Sequence, residues 1–199
     1  MKKVFFSLLL TAVFAVAGFA YTGGPDNPVK VDVESSFIVW KGYKVTGSHY
    51  GKIKIKSGAL EFNEGVLTGG SFEMDMNSIT CDDLTGGSNE KLVGHLKSDD
   101  FFSAATHPVA TFNITTVTPK GTPGDYKIVG NLTIKGITKE VKFYANVAEA
   151  DGQIKASADV TVDRSEYNVR FGSNSFFGNL GDKTIYDDFE LTVNLVANK

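Results

Sequence analysis

The sequence carries one cysteine, Cys81, in 199 residues. A single thiol cannot close an internal disulfide, so a disulfide-stapled scaffold is excluded and a hydrophobic core must hold the fold. Nothing cationic flanks Cys81, which therefore reads as a semi-buried small residue and not as a nucleophile. Histidine is sparse too: His49, His95 and His107 are far apart and lack the spacing of a zinc site. No Gly-x-Ser-x-Gly elbow and no phosphate-cradling glycine loop occurs. The chain also lacks any run of Lys and Arg, and its 20 basic residues face 23 acidic ones for a net charge of −3. That balance argues against a nucleic-acid partner or an anionic membrane surface. The acidic pairs Asp99-Asp100 and Asp187-Asp188 are explained by helix capping and strand ends, and Asp82-Asp83 by a solvated loop.

Only one stretch is apolar over a long run. Lys2 and Lys3 precede residues 4–17, which are apolar apart from Ser7 and Thr11, and Gly18-Phe19-Ala20 offers small residues at −3 and −1. This is the pattern of a secretory signal peptide, too short and wrongly flanked for a membrane span. Cleavage is expected after Ala20, with Ala17 the second choice, and no cysteine lies nearby to carry a lipid anchor. The short dilysine start points to a bacterial periplasm. Removing residues 1–20 takes away Lys2 and Lys3 and shifts the net charge by two, from −3 to −5. Residues 21–28 are Gly/Pro-rich and read as a flexible leader. Residues 29–199 are expected to form one domain.

Within that domain the apolar period is two. Ile53 and Ile55 alternate with Lys52, Lys54 and Lys56; Phe72, Met74 and Met76 alternate with Glu73, Asp75 and Asn77. The same holds around Phe112, Leu132, Phe143, Val160 and Leu191. Each such run is a strand with one buried and one wet face. Short turns such as Asn63-Glu64-Gly65 and Lys135-Gly136 imply antiparallel hairpins in meander order. About eight strands result, with a short piece at 29–33 extending the first. The wet face is charged, so a transmembrane barrel is excluded. Both a sandwich and a barrel give such alternation; strands of about ten residues joined by short turns favour the soluble barrel.

The period changes once, over residues 89–114. Leu92 and Leu96 lie four apart, with Val93 beside them, as on one face of a short helix. Ser98 before Asp99 and Asp100 reads as a helix N-cap with acidic residues in its first turn. Phe101 and Phe102 follow, and Pro108 forces the chain back to extended structure. A helical plug on a β-structure either completes a core or covers a cavity mouth. The inward face, with Phe72, Met74, Met76, Phe112, Leu132 and Phe143, is either packed core or the lining of a lumen for an apolar ligand. Met adapts to irregular apolar partners, and the aromatics in non-strand segments need somewhere to be buried.

Four motifs in order resemble the YceI family of exported proteins: His95-Leu96-Lys97-Ser98-Asp99-Asp100-Phe101-Phe102, His107-Pro108-Val109-Ala110-Thr111-Phe112, Gly130–Lys139 around Asn131-Leu132-Thr133-Ile134-Lys135-Gly136, and Asp163-Arg164-Ser165. The resemblance spans roughly residues 29–196. It implies an eight-stranded antiparallel, lipocalin-like barrel with a helical insertion between central strands. It also implies binding of a polyisoprenoid or another long-chain amphiphile, and no enzymatic activity. Two departures stand out: Val93-Gly94 precede His95 where the family often has Arg-Asp, and residues 167–186 form a longer segment than in many members.

The expected function is a periplasmic carrier that holds an isoprenoid lipid or quinone, with no other cofactor, no metal and no stable membrane insertion, as a monomer or homodimer. Phe72, Met74, Met76, Leu92, Leu96, Phe101, Phe102, Phe112, Leu132 and Phe143 are the expected lipid contacts. His95, Arg164 and Arg170 are the expected headgroup contacts, Arg164 being otherwise an ion-pair partner of Asp163 or Glu166. The rival readings are a ligand-free barrel serving as a stress-related interaction module, and an enzyme acting on a lumen-bound lipid.

Overall fold

The computed structural model describes residues 28–150 and 152–198. The expected signal peptide and nearly all of the leader lie outside the described residues. Among the described residues nine strands form: β1 Val29–Lys30, β2 Phe37–Lys44, β3 Gly47–Asn63, β4 Val66–Asp75, β5 Val109–Pro119, β6 Asp125–Ile134, β7 Ile137–Ala150, β8 Gln153–Asp163 and β9 Ile185–Asn198. Strands β2 to β9 pair in sequence order, all antiparallel, and β9 returns to β2. The result is the expected closed eight-stranded barrel. Closure gives each of the eight strands a neighbour on both sides over at least part of its length, which removes the long edges that template aggregation.

The alternation seen in the sequence sets the two faces. On β3, Ile53 and Ile55 are buried while Lys52, Lys54 and Lys56 are exposed. The β6–β7 turn is the two-residue pair Lys135 and Gly136, with φ of 51° and 73°. Positive φ at both positions is the twist that a two-residue hairpin needs. Inside, one apolar cluster gathers around Ile53, Met74, Leu132 and Val160, and a second around Leu60, Phe62, Ile128 and Ile154. They meet at Phe72, Phe112 and Phe143. Phe72 and Phe112 stack with centroids 6.4 Å apart, and Phe143 lies 5.5 Å from Phe112. Gly130 makes this possible, because a Cβ there would collide with the Phe112 ring.

At 17 residues β3 is the longest strand among the described residues, and it does two jobs. Residues 47–53 pair with β2, and residues 54–63 pair with β4. Each half is left with one open edge, and other segments fill both. β1 pairs with Leu60 and Ala59, and Val31 bridges on to Ala197 of β9. The piece expected to extend the first strand is therefore a separate strand, which closes the gap between β3 and β9. On the other open edge, the amides of Thr80 and Asp82 donate to the carbonyls of Lys52 (3.0 Å) and Tyr50 (2.8 Å).

Between β4 and β5 runs the insertion: a single 3-10 turn, Met76–Ser78, the segment 79–85, the helix α1 Gly86–Lys97, and a string of turns to 106. The expected helix is present, but Ser98 ends it instead of starting one. Its amide and hydroxyl both donate back to the carbonyl of His95, at 3.1 and 2.8 Å. Asp99 accepts from the Ser103 hydroxyl and so closes a tight turn, not a helix. No helix among the described residues is long and apolar enough to cross a membrane.

Candidate functional site

The barrel interior is not filled. Two chambers of about 120 Å3 each lie along it. Ile38, Met74, Leu132 and Leu191 border both, so they form a waist between them. The chamber away from the insertion, termed the deep one, is walled by Ile55, Leu60, Leu67, Phe72, Phe112, Phe143, Val160 and neighbouring aliphatic residues. The outer one is walled by Trp40, Ile53, Met76, Ile79, Ile134 and Phe189, and the insertion contributes Leu96, Phe101 and Phe102. Each chamber has room for several waters, since one needs only about 10–15 Å3, but a water also needs polar partners. These walls offer almost none. Such a space is dry and suited to an apolar guest.

Of the expected lipid contacts, Phe72, Phe112 and Phe143 lie in the deep chamber, and Met74 and Leu132 at the waist. Met76, Leu96, Phe101 and Phe102 lie in the outer chamber. Leu92 is half-buried and packs against the core one helical turn behind Leu96, off the cavity wall. The insertion reaches the lumen through a chain of aromatic edges: Phe101 meets Phe102 at 5.0 Å, and Phe102 meets Phe189 at 6.3 Å. Trp40, Phe189 and Ile185 also line the outer chamber and are not among the expected lipid contacts. The first two sit on inward-facing alternating positions of β2 and β9, so period two alone could have found them. Ile185 opens β9 beside an irregular segment and carries no such signal.

The three expected headgroup contacts are not brought together. Arg164 lines the outer chamber and is the only charged side chain on either wall among the described residues. It is 2 % exposed, and its guanidinium is committed. Nε donates to the carbonyl of Tyr186 (3.1 Å), Nη1 to that of Val169 (2.7 Å) and Nη2 to that of Ile185 (2.9 Å). Its ion pair is with Asp187, at 3.2 Å, and not with either neighbour expected from the sequence. Burial pulls its pKa down, Asp187 and then Asp163 pull it back, and it stays a cation. The same guanidinium lies 5.3 Å over the Phe101 ring. Arg164 thus ties the end of β8, the following loop and the start of β9 to the aromatic floor of the outer chamber.

His95 is half-buried at the rim, edge-on to Phe101 at 5.7 Å and to the exposed Phe171 at 4.3 Å. Arg170 points to the outside, 4.5 Å from the Phe176 ring, in a surface groove with Asp99, Lys135 and Lys183. Beside the site, Tyr167 is 1 % exposed and its hydroxyl has no hydrogen-bond partner among the described residues. Burial, with Glu166 and Asp163 adding to it, pushes its pKa up to about 12. Cys81 is buried in the insertion, and burial with the hydrogen bond to Asp83 pushes its thiol up, away from nucleophile chemistry.

Comparison with known proteins gives the same barrel. Among relatives, a UPF0312 protein of Pectobacterium carotovorum is 30% identical over 181 residues, covering 85% of this chain and 88% of that protein. Protein YceI of Escherichia coli is 28% identical over 173 residues, covering 78% and 85%. Among solved structures, Burkholderia cenocepacia BcnA superposes with a TM-score of 0.70 at 23% identity, over 84% of this chain and 99% of that one. A polyisoprenoid binding domain from Saccharophagus degradans superposes with a TM-score of 0.64 at 15% identity, over 85% and 97%. The YceI-like domain matches residues 29–197, essentially every described residue of the barrel, and the chain belongs to that family.

Proposed function

We propose that this protein is an exported, periplasmic binding protein that holds one long apolar chain, of an isoprenoid lipid or a quinone, along its lumen. The observation that carries this reading is the pair of end-to-end chambers whose walls hold a single charge, already engaged by three carbonyls and a carboxylate. A polar guest would find no partners there. A polyprenyl chain asks for none: moving about 400 Å2 of apolar surface out of water contributes about 10 kcal/mol before the costs of association. The description of the Saccharophagus degradans relative as a polyisoprenoid binding domain supports the same ligand class.

In this reading the tail lies past the waist into the deep chamber and the headgroup stays near the insertion. His95, between the lumen-facing Phe101 and the exposed Phe171, is the polar side chain at the rim assigned to the headgroup. Arg164 acts by ordering the mouth, and Arg170 by its place in the outer groove. The role is binding and not turnover, because Arg164 and Tyr186 are the only titratable side chains along the walls among the described residues. Native mass spectrometry of gently purified protein tests the proposal. A lipid adduct on the wild type, absent from a folded Met74→Lys variant that places a charge at the waist, is the expected result. No adduct on the native protein, together with failure to load a polyprenol or a quinone, ends the reading.

A further inference from the structure

The open edge of β3 brings one side chain, His49, beside two that lie 32 and 34 residues further along the chain. Residues 79–83 lie against this edge so closely that a Cβ on Gly51 would collide with the Thr80 carbonyl. The contact places His49, on the strand, beside Cys81 and Asp83 on the segment. His49 Nδ1 is 2.7 Å from Asp83 Oδ2, and Cys81 Sγ is 3.3 Å from Asp83 Oδ1. One donor atom from each residue can be chosen so that all three lie within 4.8 Å of one another. We propose that His49, Cys81 and Asp83 form a binding site for a divalent cation of the zinc class.

The donor set is the first reason. A thiolate sulfur, an imidazole nitrogen and a carboxylate oxygen together suit zinc and its borderline neighbours, and poorly suit Mg2+ or Ca2+, which take oxygen ligands. The second is size. Bonds of about 2.0–2.3 Å in a tetrahedron put ligand atoms about 3.3–3.8 Å apart. The separations present straddle that range, so small side-chain movements suffice. The third is the frame. Asn89, on α1, donates its side-chain amide to the carbonyls of Cys81 (2.6 Å) and Leu84 (2.9 Å), and the Tyr50 amide donates to Asp83 (2.9 Å). The loop is thus tied to the strand on one side and to the helix on the other, with or without an ion.

Without an ion the thiol donates to Asp83 Oδ1, and Asp83 Oδ2 accepts from the ring when Nδ1 carries the hydrogen. On binding, the Cys81 S–H bond breaks, the sulfur takes up the metal bond and the proton leaves to solvent. His49 binds as the neutral ring, with its one hydrogen on the nitrogen that does not face the ion. Thiolate and carboxylate then balance the two charges of the cation. Three protein ligands leave one coordination position, and the side chains of His49 and Asp83 are 25% and 20% exposed, so that position faces water. The site stands at the root of the insertion that walls the outer chamber. It is separate from the lumen and does not depend on what the lumen holds.

Cobalt and zinc titrations of the reduced, metal-stripped full-length mature protein test this. The expected result is one ion per chain, with a thiolate-to-cobalt charge-transfer band and the visible bands of a four-coordinate ion. The charge-transfer band should vanish in Cys81→Ser. His49→Ala should weaken zinc binding by about tenfold or more, and His107→Ala should leave it unchanged. Cobalt bound without a thiolate band, or zinc bound as tightly by Cys81→Ser as by the wild type, overturns the site, as does the lack of stoichiometric binding. Should Cys81→Ser not fold, alkylation of the wild type decides: one equivalent of zinc must slow labelling of Cys81, and unchanged labelling overturns the proposal.

Discussion

At the scale of single residues, Arg164 and Tyr167, two buried polar side chains near the barrel mouth, behave in opposite ways. Arg164 is buried and satisfied, held by three backbone carbonyls and the Asp187 carboxylate. Tyr167 is buried and its hydroxyl is not satisfied. A buried hydroxyl without a partner costs about 1–3 kcal/mol relative to its hydrated state, so its removal should help. Tyr167→Phe is expected to raise stability by about 1 kcal/mol in urea unfolding, with unchanged fold by circular dichroism. The pH dependence gives an independent check. The folded-state pKa is raised, to about 12 from an ordinary value of 10. The folded protein therefore holds this proton more tightly than the unfolded chain does. That stability is fully present below pH 10 and is lost as pH rises through the window from 10 to 12. In Tyr167→Phe the part of the alkaline loss due to this group should disappear. An identical alkaline profile in the two proteins would mean that the folded state does not raise the pKa of this hydroxyl.

At the scale of elements, the insertion shows what period and chemistry reveal and what they hide. Helix α1 places Leu96 on the wall of the outer chamber, where part of its surface faces empty space instead of packed neighbours. Leu→Ala in a tight core costs about 2–5 kcal/mol; here fewer contacts are lost, so Leu96→Ala is expected at the low end, about 2 kcal/mol, with a larger outer chamber. Chemical denaturation reads the first, and uptake of an environment-sensitive apolar dye reads the second. The Leu92/Leu96 spacing was legible because it is a local property of one face. The ends of the helix were not. Its start, Gly86-Gly87-Ser88 after Thr85, has no acidic first turn, and Thr85, though a favoured N-cap type, makes no side-chain cap hydrogen bond, so the start signal is weak. Its end imitates a start, because a serine followed by two aspartates serves equally to close a turn. The same limit hid the His49, Cys81 and Asp83 cluster. Period two places Ile53 and Ile55 inside, but only the tertiary pairing of residues 80–82 with the β3 edge decides which polar groups on the outside become neighbours. Strands and lumen-facing residues were readable from alternation; the positions of Arg164 and Arg170, in irregular segments, were not.

At the scale of the whole molecule, the division of the lumen decides what can be held. A closed eight-stranded barrel has an interior just wide enough for side chains or one small ligand. Here the small residues on β7 and β8, with Ala145, Ala156 and Ala158 on the chamber wall, leave space at one end, and the aromatic insertion leaves space at the other. Ile38, Met74, Leu132 and Leu191 stand between. Only Met74 among them is unbranched and flexible, so it is the side chain best able to swing aside for a chain that passes from one chamber to the other. This separates two ways of holding a lipid: across the waist, or coiled in one chamber alone. Met74→Trp fills the waist with a rigid ring, at a stability cost of about 1–3 kcal/mol for overpacking. If the ligand lies across the waist, the variant should still load a short isoprenoid alcohol such as geraniol, which one chamber can take, and should lose a long polyprenol. Competitive loading of the two, read by native mass spectrometry on wild type and variant, measures the ratio directly. A long chain bound equally well by both proteins would place the ligand in one chamber and make the other a fixed feature of the fold.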